Sequence, residues 1–244
     1  MNQNPEDQII LIDKPAGISS FGVVAKVRSK LKNEFGHKIK VGHTGTLDPF
    51  ATGLLILLTG KMTKKSNDFL KLDKVYEATL KLGYTSTTGD PEGQIQQFSV
   101  EGLTEVTTEY GGASPVTMGA SDPYPKRKAV EFVLSSFVGK IDQQVPKFSA
   151  VKINGERAYK LARKGQDFET PTRKVEVYSI EILDYNYPEL TIRTHVSSGT
   201  YIRTLTEDIG QKLGTGAYLT ALRRTKIGNY NIKDAIMRSE GAHV

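Results

Sequence analysis

The stretch "KVGHTGTLDPFATGLLILLTGKMTK", residues 40–64, sets a histidine, a carboxylate and glycine-spaced turns between lysines and one of the most apolar runs of the chain. Its second half, "GLLILLTG", is short, apolar and bounded by glycine, which predicts a buried strand. Its first half places Asp48 directly before a proline, where an aspartate commonly starts a turn by accepting a hydrogen bond from its own downstream backbone. His43 by itself fits a hydrogen-bonded structural residue or a surface side chain. The question left open is what an acid does in so basic a neighbourhood.

Outward from this stretch, strand and helix patterns mix. "IILI" (9–12) is strand-like and leads into a turn at "DKPAG". A helix is predicted from about Ser20 to Lys32, with Val24, Val27 and Leu31 on one face and Ser19 or Ser20 as N-cap. "KVYEATLKLGY" (74–84), "VEVYSIEI" (175–182) and "LTIRTHV" (190–196) alternate as strands do. Residues 128–138 and 201–213 read as helices, the second stopped by Gly214. Without a regular βαβ repeat, this mixture predicts an α+β fold around a mixed, largely antiparallel sheet flanked by helices. No repeat and no clear linker divides the chain. Residues 1–230 are therefore expected to form one domain, with a Gly-, Ser- and Thr-rich insertion at 103–125 reading as a solvated loop and a short tail at 231–244.

Composition narrows the chemistry. The 244 residues carry a formal charge of +6, which favours an anionic partner, nucleic acid first. There is neither a secretory start nor a run of 18 or more apolar residues, so a membrane or export role is not expected and the cytoplasm is. Without cysteine there is no disulfide, thiol nucleophile or thiolate metal site, and four scattered histidines offer no metal-ligand spacing. Chemistry is left to carboxylates, hydroxyls and cations. The cations cluster: Lys26, Arg28, Lys30, Lys32, Lys38 and Lys40; then Lys61, Lys64 and Lys65; then the 147–164 segment; and finally Arg203, Arg223, Arg224 and Lys226. Each cluster abuts a glycine- or hydroxyl-rich turn whose backbone N–H groups could also meet phosphates.

Taken whole, "GHTGTLDPFATGLLILLTGKMTK" resembles the catalytic signature of the bacterial tRNA pseudouridine synthase B (TruB) family. The resemblance continues through "LIDKPAGISS", "KVYEATLKLGYTSTTGDPEG", "VPKFSAVKINGERAYKLARKG" and "SSGTYIRTLTEDIGQKLGTGAYLTALRRTKIG". It runs from about residue 9 to residue 228, with 102–126 as its main gap. It implies the pseudouridine synthase fold. Many relatives add a C-terminal RNA-binding domain of the PUA type, which is not expected here.

The resemblance implies an enzyme that detaches the uracil of uridine 55 in the T-arm loop of tRNA, rotates it and rejoins it through C5, with no cofactor and no metal. Asp48 would be the catalytic carboxylate, acting as nucleophile or as stabiliser of positive charge on the sugar. The base must be flipped out of its stack, and Tyr76 would replace the lost stacking. Arg203 would pair with Asp48, which would answer the question of the unpaired acid. His43 would lie beside the flipped nucleotide. Lys14 and Lys64 would contact phosphate, and Tyr201 would be a further substrate contact. Lys147, Lys152 and Lys160 would add electrostatics without selecting a sequence. The plainer alternatives are an exposed cation for Arg203, slightly misplaced in a first helical turn, and core filling for Tyr76 and Tyr201. Two other functions stay open, a non-catalytic RNA-binding module and a synthase working inside a guide-RNA particle. A stand-alone monomer that takes the T-arm stem-loop of tRNA is the expectation.

Overall fold

The structure of the protein is a computed structural model that describes residues 4–99 and 124–235. The expected insertion at 103–125 lies outside the described residues except for its last two, as does the tail beyond 235. In chain order the elements are β1 (Ile9–Lys14), α1 (Ser20–Phe35), β2 (Val41–His43), β3 (Thr52–Thr59), a 3-10 helix (Gly60–Lys65), α2 (Ser66–Leu70) and β4 (Lys74–Leu82). Next come β5 (Tyr84–Ser86), β6 (Ile95–Gln97), α3 (Arg127–Ser135), β7 (Gly139–Gln144), β8 (Lys152–Ile153), β9 (Glu156–Arg157) and α4 (Ala158–Arg163). The chain continues with β10 (Thr172–Asn186), β11 (Glu189–Val196), α5 (Ile202–Lys212), β12 (Ala217–Ile227), β13 (Tyr230–Asn231) and a closing 3-10 turn (Ile232–Asp234). By internal contacts the chain forms two compact units. The first takes residues up to Glu77 with 195–198 and 221 onward, and the second takes 78–194 and 199–220.

The first unit is organised around β3. One edge of β3 pairs antiparallel with β1 along its length, Leu58 opposite Ile9 and Gly53 opposite Lys14. The other edge is shared: β12 runs parallel beside Thr52 and Gly53, and β2 runs antiparallel beside Leu57 to Thr59. Both faces of β3 are covered, which is why its sequence is a continuous apolar run rather than an alternating one. Leu55 and Leu57 join Val23, Val24, Val27 and Leu31 of α1 in one cluster, while Leu54, Ile56 and Leu58 join Phe69 and Ile227 in another. Each such buried side chain contributes about 2 kcal/mol of hydrophobic stabilisation. Helix α1 begins where expected: the Ser19 hydroxyl accepts from the Gly22 N–H at 3.0 Å, and Gly36, at φ 77°, closes the C-terminus.

In the second unit β10 pairs antiparallel with β7, and the strand order runs β4, β11, β10, β7. Helix α3 packs against β10 and α5, and buries Val130, Val133 and Leu134. β8 and β9 form a hairpin closed by Asn154 and Gly155, both at positive φ, the pair that a tight hairpin turn favours. The fold is α+β with a mixed sheet, as the sequence predicts. The clearest difference is β12, an eleven-residue strand in a segment read only as a cation cluster. Its buried positions include Arg224, which is 1% exposed.

Candidate active site

Asp48 sits in the connection from β2 to β3, and each residue from Thr44 to Pro49 has a backbone group fastened by a hydrogen bond. The Thr44 N–H donates to the Ile56 carbonyl at 3.0 Å. The Ser20 hydroxyl, in the first turn of α1, accepts from the Leu47 N–H at 2.8 Å and donates to the Leu47 carbonyl at 2.9 Å. The Ala51 N–H donates to the Asp48 carbonyl at 3.1 Å, closing the Asp-Pro turn the sequence predicts. The Pro49 carbonyl accepts from the Gly17 N–H at 2.8 Å and from the Lys14 ammonium at 3.2 Å. The Arg224 guanidinium reaches the same segment from β12: its Nε donates to the Leu54 carbonyl at 2.8 Å, and its two terminal nitrogens donate to the carbonyls of Gly45 and Thr46 at 3.1 and 3.5 Å. Asp48 itself is half-buried.

His43 ends β2 at the head of this turn, half-buried, with its Nδ1 accepting from the Gly45 N–H at 3.4 Å. Burial, and after it the charge of Arg224, hold its pKa below the ordinary histidine value. Tyr76 lies on the buried face of β4, 8% exposed, and Lys64 is exposed in the 3-10 helix after β3. Lys14 differs from its expectation as a phosphate contact. It has no exposed surface, and its ammonium donates to the carbonyls of Pro15 and Ile18, both at 2.8 Å, as well as Pro49. Lys14 therefore fastens the turn that carries Asp48; a phosphate could reach it only if that turn came apart.

Tyr201 and Arg203 belong to the second unit. The buried Gln143 side chain brackets Tyr201, donating to its carbonyl at 3.0 Å and accepting from its N–H at 2.7 Å, which sets where α5 begins. Arg203, 6% exposed, donates to the carbonyls of Thr88 and Phe148 at 3.0 and 2.8 Å. It also forms an ion pair with Asp90 at 3.5 Å. Asp90 is held in turn by the Thr88 hydroxyl at 2.5 Å and the Glu92 N–H at 3.0 Å. Among the described residues no group of acids and histidines could hold a metal ion, and no helix is long and apolar enough to cross a membrane.

The sequence profile of the TruB family pseudouridylate synthase (N terminal domain) matches residues 30–114 and 102–202, and that of the tRNA pseudouridylate synthase B C-terminal domain matches residues 203–240. The chain belongs to the TruB family. It is 42% identical over 233 residues to the tRNA pseudouridine synthase B of Phocaeicola vulgatus, covering 95% of this chain and 90% of that one. It is 41% identical over 234 residues to that of Flavobacterium johnsoniae, covering 95% and 93%. Among solved structures it is similar to a chain of "Crystal Structure of a Cbf5-Nop10-Gar1 Complex", with a TM-score of 0.63 and 28% identity. The match covers 93% of this chain and half of that one. The TruB-family chain is thus a pseudouridine synthase, an isomerase.

Two residues with buried polar contacts, one in each unit, are not legible in the sequence. Asp90, in "TTGDPEG", looks like another Asp-Pro turn, and only its burial against Arg203 shows that it is an ion-pair partner. Arg224 was counted with the surface cations. A local signal is its place between the apolar-rich "AYLTAL" and Ile227.

Proposed function

We propose that this TruB-family enzyme converts a uridine in the T-arm loop of tRNA, position 55, to pseudouridine, with Asp48 as the catalytic carboxylate. The observation that carries the reading is the turn from Thr44 to Pro49, fastened at residue after residue, so that a single half-buried carboxylate is held in a set position. A preset geometry of this kind is what a reaction at one sugar carbon requires. The relatives' name, tRNA pseudouridine synthase B, supports tRNA as the substrate.

In this reading the N1–C1′ bond breaks and the freed uracil turns. A C5–C1′ bond then forms, and the hydrogen of C5 leaves as a proton to solvent. The Asp48 carboxylate acts on C1′ or C6, or stabilises positive charge on the sugar. Tyr76 stacks on the flipped base, His43 and Tyr201 contact the nucleotide, and Lys64 contacts phosphate. Arg203 serves as the cation partner of Asp48 in the reacting complex. The enzyme works as a monomer in the cytoplasm.

The test is a tRNA transcript tritiated at C5 of uridine. Label should reach water from one T-arm uridine, in EDTA and without added nucleotide, and pure Asp48→Asn protein should release none while still binding RNA. Tritium release by Asp48→Asn under single-turnover conditions overturns the catalytic assignment; release from another position overturns the substrate.

A further inference from the structure

Arg224 is among the largest fully buried side chains, yet among the described residues no carboxylate lies within ion-pair distance of it. Burying a cation on those terms costs several kcal/mol, and an apolar residue would fill the same strand position at less cost. What the guanidinium supplies is geometry. Its planar fork reaches three carbonyl oxygens in two separate segments, Leu54 of β3 and Gly45 and Thr46 of the turn, each from a different nitrogen, a fixed spread of donors that one ammonium nitrogen does not reproduce. Its own backbone is equally fixed. Arg224 stands opposite Gly53 in the parallel pairing of β12 with β3, and a Cβ at Gly53 would lie 2.3 Å from the Arg224 carbonyl oxygen. The strands therefore meet at backbone contact, and the Arg224 head is held at a set distance from β3.

We propose that Arg224 is a positioning residue: it ties Gly45 and Thr46, immediately ahead of Leu47 and Asp48, to β3, and so sets where the Asp48 carboxylate stands in the reaction. The inference rests on the catalytic role proposed for Asp48. Ahead of this pair Thr44 is held to Ile56 of β3 and the Gly45 N–H to His43, and after it the fastenings act at Leu47 and beyond, through Ser20, Gly17 and Lys14. The carbonyls of Gly45 and Thr46 are held from β12. Gly45 has φ 148°, a conformation that side chains rarely adopt, so this part of the turn needs an external hold to keep one geometry. Displacement of a reacting group by about an ångström can cost on the order of a hundred-fold in rate.

The test compares Arg224→Lys and Arg224→Gln with the wild-type enzyme in four measurements: thermal melting, equilibrium binding of a T-arm stem-loop, single-turnover tritium release from C5-labelled RNA, and NMR titration of His43. Both variants should melt above the assay temperature and bind RNA within about two-fold of wild type, yet release tritium at least about ten-fold more slowly, with lysine no better than glutamine. His43 should titrate higher in the glutamine variant and stay lowered in the lysine variant, because the charge of Arg224 is the second cause of its depression after burial. A folded variant reacting at the wild-type rate overturns the proposal. So does a loss of RNA affinity that matches the loss of rate, which would make Arg224 a binding residue. A lysine variant that does not fold at the assay temperature also overturns it, by assigning Arg224 to the fold. A wild-type enzyme that releases no tritium overturns the proposed function instead, which the parallel wild-type arm reveals.

Discussion

The Lys14 ammonium donates a hydrogen bond to the carbonyl oxygen of Pro49 at 3.2 Å, from a side chain with no exposed surface, and Pro49 is the residue after Asp48. The end of β1 and the turn between β2 and β3 are therefore locked to each other by a buried cation. Arg224 holds the same turn on the other side of Asp48, at Gly45 and Thr46. A carboxylate between two such holds can stay in one geometry without a rigid element of its own.

Lys14→Met should leave the carbonyls of Pro15 and Ile18 without this donor and Pro49 with the Gly17 N–H, and cost about 3 kcal/mol of stability, measured by urea unfolding. RNA affinity should stay within about two-fold, and its salt dependence should keep the wild-type slope, because Lys14 neutralises no phosphate. Lys64→Ala, at an exposed position, should lower that slope by about one. A Lys14→Met enzyme of unchanged stability and reduced salt slope would restore the phosphate role.

Asp90→Asn tests the buried ion pair with Arg203, whose side chains are 4% and 7% exposed. Asparagine can still accept from the Thr88 hydroxyl and the Glu92 N–H, so the turn should survive, while Arg203 loses the charge of Asp90. Removal of one partner from a buried pair costs about 3 kcal/mol or more, and the loss should appear as a lower melting temperature together with slower single-turnover reaction. Arg203→Lys should slow the reaction at least as much, since one ammonium cannot donate to the carbonyls of both Thr88 and Phe148 in the present geometry. Wild-type rates in Asp90→Asn would leave the pair with a purely structural role.

The elements read correctly from the sequence were those whose signal is local. The run "GLLILLT" announces a strand covered on both faces, Ser19 announces the start of α1, and the alternation of β4 puts Tyr76 on its buried side. The fate of the cations was not legible in the same way. Lys14 and Lys64 are the same residue type beside similar turns, yet one is fully buried and the other exposed, and the difference comes from carbonyls brought in by distant segments. β12 was hidden for the same reason, since an arginine in mid-strand reads as a solvated face until its acceptors are known. Asp90 and Arg203 meet only through tertiary folding, so neither sequence neighbourhood names the other.

Gly53→Ala should be among the most damaging small substitutions in the protein. The residue has φ 104°, and the added Cβ would fall 2.3 Å from the Arg224 carbonyl oxygen and 2.7 Å from its nitrogen, all backbone atoms that cannot swing aside. Strain and the parting of β12 from β3 together should cost more than about 3 kcal/mol. Urea unfolding of a Gly53→Ala protein with near wild-type stability would show that the two backbones do not meet there.

Lys74 carries a pH signature. It is 7% exposed and donates to the carbonyls of Leu70 and Leu72. Burial first, and the charge of Arg224 second, lower its pKa from 10.5 to about 8, with Asp73 opposing. The sign follows from comparing the two states. Below pH 8 both carry the proton, and the cost of burying the cation is present in full. Between pH 8 and 10.5 the unfolded chain keeps a proton that the native protein has released, so stability rises with pH across this window and levels off above it. The whole rise attributable to this one group is about 3 kcal/mol. Lys74→Met removes it, and the carbonyls left without a donor add an offset that does not change with pH. The difference in unfolding free energy between wild type and Lys74→Met should therefore move by about 3 kcal/mol in favour of the wild type from pH 7.5 to pH 10.5, as the other groups titrate alike in both. A difference that stays flat over that range would mean that Lys74 titrates as an ordinary lysine and that its pocket is wetter than its burial implies.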